Sequence, residues 1–71
     1  MTTFGAVYFN RCKEKGLVNK VCRITVVDGR RYLERTLYFN KDDGKYYVIV
    51  NRNAHPVKPW LNSRGGYEGR I

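Results

Sequence analysis

The sequence predicts a small, mainly β domain, and this prediction rests on three runs of strand-forming residues and on the turn residues between them. The runs lie within residues 20–51 and are rich in Val, Ile, Thr, Tyr and Phe, which favour strands. Asp28-Gly29 separates the first two runs, and a two-residue Asp-Gly loop is typical of a β-hairpin. Gly44 marks the second turn. We therefore predict a three-stranded antiparallel meander.

The N-terminal segment fits either a strand or a helix, and this choice affects the fold class. Four residues are spaced as on one face of a helix: Phe4, Val7, Tyr8 and Cys12. Thr3 is a candidate helix cap, and Gly16 followed by Leu17 is typical of a helix end. The run at residues 5–10, however, is also rich in strand formers. We favour a strand that extends the meander into a small, partly open barrel; the alternative is an α+β domain with an N-terminal helix on the sheet.

The lengths of the loops predict how the three strands pair. A two-residue first loop places Arg23 opposite Glu34 as a cross-strand ion pair. A three-residue second loop, 42–44, places Phe39 opposite Tyr47. One face of the sheet is then predicted to form the core, with Cys22, Ile24, Val26, Leu33, Leu37, Phe39, Tyr47 and Ile49. The opposite face combines tyrosine, β-branched and arginine side chains, a mixture typical neither of a core nor of a solvated face.

The C-terminal third of the chain has fewer strand signals. Pro56 and Pro59 exclude residues 52–60 from a central strand and predict an extended or edge element. The last residues contain three glycines and no hydrophobic periodicity, which is typical of a mobile segment. We therefore predict one small domain over residues 1–61 and a flexible tail over residues 62–71.

Two cysteines and a single histidine limit the metal and redox chemistry of the chain. Cys12 and Cys22 form no close Cys-x-x-Cys pair, and His55 lies far along the chain, so we expect neither a metal nor a cofactor. The N-terminus has no basic region ahead of an apolar run, so we expect a cytoplasmic protein with reduced thiols and with Cys22 in the core. No apolar stretch approaches the roughly 20 residues that cross a bilayer, so we expect no membrane partner.

Side chains typical of catalysis do not converge in this sequence. His55 stands between Ala54 and Pro56 with no carboxylate nearby, and a histidine without an orienting partner makes a poor catalytic group. Asp42 and Asp43 are adjacent and belong to a turn, where such residues are common. No phosphate-binding glycine loop of the GxxxxGK type is present. We therefore do not expect an enzyme.

The charge of the chain points to a polyanionic partner. Fourteen Lys and Arg residues against six Asp and Glu residues give a net charge of +8 in 71 residues. Eight of the fourteen are arginines, whose planar guanidinium suits phosphate contacts and base stacking. Proteins that hold single strands combine such charge with aromatic rings, each stacked base contributing about 1–3 kcal/mol. We predict a non-enzymatic nucleic-acid-binding protein that favours single strands over duplex and has little sequence specificity.

The predicted binding residues lie on the tyrosine-rich face and at the basic turns. Tyr32, Tyr38 and Tyr46 are predicted to stack on bases. Phosphate contacts are predicted for five basic residues, Arg23, Arg30, Arg31, Lys41 and Lys45. The alternative is a small protein-interaction module, an inhibitor or adaptor that docks on an acidic partner protein, because exposed Tyr, Trp and Arg are enriched at interfaces. A homodimer formed through an open strand edge is compatible with both functions.

Overall fold

The computed structural model describes residues 4–71, with side chains described from Val7 onward. The elements are helix α1 (Phe4–Glu14) and strands β1 (Val18–Asp28), β2 (Arg31–Asn40), β3 (Lys45–Val50), β4 (Asn53–Val57), β5 (Trp60–Leu61) and β6 (Tyr67–Arg70). All six strands form one open sheet in the order β4-β3-β2-β1-β6-β5, antiparallel except for β6 beside β1. The predicted mainly β fold class is confirmed.

The N-terminal segment forms helix α1, so the favoured strand is wrong and the alternative with a helix on the sheet is correct. Phe9 and Cys12 are both buried, and their spacing of three residues places them on one face of a helix but on opposite faces of a strand. The helix ends as its sequence predicts, with Gly16 at φ 74° and the Leu17 amide donating to the Cys12 carbonyl at 3.0 Å. Thr3, the predicted cap, lies outside the described residues.

The first hairpin turns one residue later than predicted. Asp28 pairs with Arg31, so the two-residue loop is Gly29-Arg30. Gly29 has a φ of 60° and occupies the first central position, as in a type II′ turn, whereas the prediction placed it second. The register of β1 against β2 is therefore shifted by two residues. Because side chains alternate with a period of two, the shift leaves both faces of this strand pair unchanged.

The shifted register gives Arg23 a different neighbour from the predicted ion-pair partner. Arg23 lies opposite Thr36, and its guanidinium donates to Thr36 Oγ1 at 3.5 Å and to the Glu34 main-chain carbonyl at 3.4 Å. A bulge between Lys20 and Cys22 then interrupts the ladder. The bulge reverses the facing of the first residues of β1 relative to the rest of the strand.

The second hairpin has a four-residue loop, 41–44, rather than the predicted three-residue loop. Asn40 pairs with Lys45, and Tyr47 lies opposite Tyr38 instead of Phe39. This change of one residue turns every side chain of β3 to the other face of the sheet. The face that carries Leu37 and Phe39 therefore also carries Tyr46, Val48 and Val50.

The third hairpin joins β3 to the edge strand β4 through Asn51 and Arg52. Their φ values are 51° and 64°, the pattern of a type I′ turn, which is favoured because its twist matches that of the two strands. Pro56 lies within β4, where a missing amide hydrogen is tolerated because one side of an edge strand is unpaired. The predicted edge element is confirmed.

The sheet buries side chains on both faces. We call the first the inner face; its core contains Ile24, Val26, Leu37, Val48, Val50 and Val57. Within residues 4–71 no second layer covers this face. Instead, the sheet coils until β4 and β6, which are not neighbours in it, approach each other. A methyl group placed on Gly69 would lie 3.3 Å from Val57 Cβ and 3.3 Å from Ile24 Cδ1. The coil thus encloses the inner core without hydrogen-bonded closure of a barrel.

Helix α1 covers part of the opposite face, which we call the helix face. Phe9 is the centre of this second core, with its ring centroid 5.4 Å from that of Tyr47 and 5.6 Å from that of Tyr38. Ala54 of β4 completes the buried group. Tyr47 is thus buried as predicted, but on the face opposite to Leu37. No helix among the described residues is long and apolar enough to cross a membrane.

The C-terminal residues predicted to form a tail belong to the sheet. Asn62 Oδ1 accepts hydrogen bonds from the amides of Arg64 at 2.9 Å and Gly66 at 3.0 Å, which closes a tight turn. After this turn β6 pairs in parallel with β1, and the Ile71 amide donates to the Val27 carbonyl at 3.1 Å. Local sequence patterns do not reveal this pairing, because the partner strand β1 lies far away along the chain.

Candidate nucleic-acid interface

A groove of about 800 Å³ opens on the inner face, where the coil of the sheet remains unclosed. Four parts of the chain border it: the start of β3, the start of β6, the link that follows β4, and the bulge of β1. We call it the seam groove. Its lining includes Val21, Cys22, Lys45, Tyr46, Lys58 and Tyr67. Small-ligand pockets in proteins span about 300–1,000 Å³, so the groove is large enough for a ligand of one or two nucleotides.

Two tyrosine rings form the aromatic part of the seam groove. Tyr46 follows the four-residue loop and packs on Phe39 with ring centroids 5.0 Å apart, which fixes the ring while leaving the residue 36% exposed. Tyr67 begins β6 and is 49% exposed. A tyrosine supported on one side and open on the other is suited to stacking on a planar ligand.

Two lysines supply the positive charge of the groove. Lys45 begins β3, and Lys58 stands in the link between β4 and β5. The ion pair found within residues 4–71 joins Arg31 to Asp28 at 2.8 Å, so neither lysine is neutralised by a carboxylate of the described chain. An ammonium without a fixed partner is available to a ligand phosphate.

The three tyrosines predicted to form one platform are separated by the observed register. Tyr46 lies on the inner face, whereas Tyr32 and Tyr38 lie on the helix face. Tyr38 packs edge-on against Phe9 and is half-buried. Tyr32 is the second residue of β2 and is 72% exposed. The predicted grouping is therefore corrected, and Tyr46 is the one of the three that lines the groove.

The five predicted basic residues are likewise spread over the molecule. Arg30 and Lys41 are exposed in the first and second loops, and Arg31 is held by its ion pair. Arg23 lies on the helix face. Only Lys45 of these five lines the seam groove. The structure thus brings Lys45 and Tyr46 together with residues that sequence reasoning missed.

The missed residues carried weak or misleading signals. Tyr67 stands in a glycine-rich segment that resembled a tail, and Lys58 stands between two prolines. Cys22 was predicted to lie in the core because of its alternation with Ile24, but it is exposed beside the bulge. Its thiol is free, as is the buried thiol of Cys12.

The two adjacent carboxylates of the second loop join it to helix α1 and to strand β3. The Tyr8 hydroxyl donates to Asp42 Oδ2, and the Tyr47 hydroxyl donates to Asp43 Oδ2. The hydrogen bond to Asp42, followed by desolvation, raises the pKa of Tyr8 well above its usual value. Burial, followed by the hydrogen bond to Asp43, raises the pKa of Tyr47 to about 12. These bonds fix the loop from which β3 and its groove residues begin.

The described residues contain no cluster of three or more His, Cys, Asp or Glu side chains that could hold a metal ion.

The architecture is that of a small coiled β-sheet with a helix on one face and an open, lysine-flanked aromatic groove on the other. Comparisons with protein-family models, with curated proteins and with solved structures found no significant match to the chain.

Proposed function

We propose that this protein binds single-stranded nucleic acid in the seam groove and performs no catalysis. The observation that carries the proposal is that two partly exposed tyrosines, Tyr46 and Tyr67, line the same groove as two lysines. Neither of these lysines, Lys45 and Lys58, forms an ion pair within the described chain. Single-strand binders combine stacking rings with cations that follow the phosphates, and this groove contains both. Two predicted binding residues, Lys45 and Tyr46, belong to it.

Single strands suit the groove better than duplex because its rings need unstacked bases. In a duplex, each base is already stacked and paired, so the rings of a recessed groove would meet only the backbone. Tyrosine stacks on every base, so we expect little sequence preference.

The charge outside the groove contributes through the overall field. The chain carries +8, including the exposed Arg30 and Lys41 of the two loops. This field attracts a polyanion over roughly 10 Å at 0.1 M salt and raises the association rate more than the specificity. We therefore expect a salt-dependent component of affinity from the whole surface and a salt-resistant component from the groove.

The test is fluorescence anisotropy with labelled single-stranded DNA, single-stranded RNA and duplex, titrated with protein across a range of salt. Tyr46→Leu and Tyr67→Leu keep an apolar side chain but remove the stacking ring. Each substitution is expected to weaken single-strand binding about tenfold, the loss of one stack. Tyr32→Leu is the matched control, because Tyr32 is exposed at a distance from the groove and its loss should leave the affinity nearly unchanged.

Salt dependence distinguishes groove binding from general attraction. If the groove carries the affinity, the two groove variants weaken binding at high salt as strongly as at low salt, because stacking releases no counterions. The proposal is wrong if all three tyrosine variants bind alike, or if binding disappears for every strand near physiological salt.

One observation favours a second candidate, a protein-interaction module for an acidic partner. Val21, which lines the groove, is 50% exposed, and Leu61, which pairs with Tyr67 between β5 and β6, is 62% exposed. Aliphatic side chains exclude water at protein interfaces but offer no ring to a base. Leu61→Ser discriminates the two functions, because Leu61 is exposed but does not line the groove: oligonucleotide affinity should persist, whereas binding to a protein would fall.

A further inference from the structure

A second, smaller pocket lies on the helix face, on the opposite side of the sheet from the seam groove. It has a volume of about 230 Å³ and lies between helix α1 and the hairpin of β3 and β4. Its lining consists of Phe9, Asn10, Ile49, Arg52 and Ala54. Three of these are apolar and partly or fully buried, while Asn10 and Arg52 are exposed. The pocket thus has an apolar floor and two polar groups at its opening.

Arg52 occupies a backbone position that its side chain does not favour. It is the second central residue of the type I′ turn, with a φ of 64°, where glycine is the preferred residue. Asn51 beside it also has a positive φ, but asparagine tolerates this conformation. The turn therefore places an arginine at the pocket opening at some cost in stability, and backbone strain of this kind is commonly found at functional sites.

The Arg52 guanidinium has no ionic partner in the described chain. Arg23, Arg31 and Arg35 donate hydrogen bonds to protein oxygens, whereas the Arg52 side chain makes no hydrogen bond or ion pair within residues 4–71. Its donors are therefore free for a ligand that enters the pocket.

We propose that this pocket binds a phosphate group through the Arg52 guanidinium and the Asn10 side-chain amide. Arginine presents paired donors that match two oxygens of a tetrahedral oxyanion, and the asparagine amide supplies a further N–H. The volume is below the range of small-molecule pockets, about 300–1,000 Å³, and suits an ion or a terminal phosphate group.

The phosphate has two chemical sources, the free ion and a terminal phosphate ester at the end of a nucleic-acid strand. The test is an amide-resolved NMR titration at constant ionic strength with three probes: inorganic phosphate, a short oligonucleotide with a 5′-phosphate, and the same oligonucleotide with a 5′-hydroxyl. Saturable shifts at the amides of Asn10, Arg52 and Ala54 are expected with inorganic phosphate, with the phosphorylated strand or with both. The hydroxyl strand should leave these three amides unchanged.

Variants separate a pocket from general attraction to a basic protein. Arg52→Gly removes the guanidinium but suits the turn, so the variant folds and is expected to bind phosphate at least tenfold more weakly. Arg64→Gly removes the same charge from the turn before β6 and should bind as the parent protein does. Arg52→Lys keeps the charge, loses the paired donors and should lie between the two.

The proposal is overturned if phosphate produces only small, unsaturable shifts over the whole surface, or if Arg52→Gly and Arg64→Gly respond alike. It is also overturned if the hydroxyl strand shifts the three amides as the phosphorylated strand does. Because the pocket and the seam groove lie on opposite faces, loss of single-strand binding in the Tyr46 and Tyr67 variants would leave this result unaffected.

Discussion

The hydroxyl of Tyr47 donates a hydrogen bond to the carboxylate of Asp43, four residues earlier in the chain. Tyr47 is buried beneath Phe9, so the bond ties the second loop to the core that holds helix α1. The neighbouring Asp42 accepts from Tyr8 of the helix itself. The second loop is therefore joined to both the helix and the sheet, and its geometry affects the position of each.

This arrangement predicts a loss of stability in alkaline solution. Burial and the bond to Asp43 raise the pKa of Tyr47 from 10.0 to about 12, so the folded protein keeps the proton to a higher pH than the unfolded chain does. The stabilising contribution is fully present below pH 10 and decreases as the pH rises toward 12. Its size is about 2 kcal/mol, measured as the change in the free energy of urea unfolding over this range.

Tyr47→Phe removes one of the two hydroxyls whose pKa is raised, so it should reduce the pH dependence above pH 10 without abolishing it, because Tyr8 remains. It should also lower stability at neutral pH by about 1 kcal/mol. Tyr32→Phe removes an exposed hydroxyl and is expected to behave as the parent protein does at every pH. An unchanged alkaline slope in the Tyr47→Phe protein would show that other groups cause it.

Gly69→Ala is predicted to destabilise the protein by about 1–3 kcal/mol, because the added methyl group meets Val57 Cβ and Ile24 Cδ1 at 3.3 Å. Val57 cannot move away without its backbone, since the close atom is its Cβ. Gly66→Ala is the control, as its nearest contact is the flexible Asn62 side chain at 3.7 Å. Equal unfolding midpoints for the two variants would contradict the close approach of β4 and β6.

Arg52→Gly is predicted to stabilise the fold by about 0.5–1 kcal/mol. Relief of the positive-φ strain outweighs the greater chain entropy of glycine in the unfolded state. Asn51→Gly should gain less, because asparagine already tolerates this conformation. Thermal unfolding of the parent protein and of the two variants gives their order of stability. If Arg52→Gly were less stable than the parent protein, the arginine side chain would stabilise the fold by more than its backbone strain destabilises it.

The native protein is predicted to expose one reactive thiol. Cys22 is exposed in the lining of the seam groove, whereas Cys12 lies on the buried face of helix α1. A thiol-alkylating reagent should modify one cysteine per native chain, shown by mass spectrometry, and two after denaturation. Cys22→Ser should abolish the native modification. A saturating single-stranded oligonucleotide is expected to slow the alkylation of Cys22 in the native protein. An unchanged alkylation rate would mean that the strand binds outside the seam groove.

Much of the strand content was predictable because it depends on local residue preferences. The three runs of residues 20–51 form strands β1, β2 and β3, and the prolines of the next segment mark the edge strand. Loop length was less predictable. Gly29 suits either central position of a two-residue hairpin turn if the turn type changes, and Gly44 ends a loop of three or four residues equally well.

That uncertainty had unequal consequences for the candidate site. A shift of two residues at the first loop left the facing of Tyr32 and Tyr38 intact, but a change of one residue at the second loop moved Tyr46 to the other face. The predicted platform was lost through this single residue. Tyr67 joined the groove through a parallel pairing between distant segments, for which local patterns carry no information.

The pairing of β6 with β1 also sets an order of events in folding. Thr25 lies beside Glu68, so this contact closes a loop that spans most of the chain, whereas each hairpin joins near neighbours. Long loops cost more entropy to close, so we expect the hairpins to form first and β6 to dock last. By the same reasoning β6 is the first strand to detach in local opening. Because Tyr67 belongs to β6, the groove is complete only when folding is complete, and a partly folded chain cannot hold a strand as the native protein does.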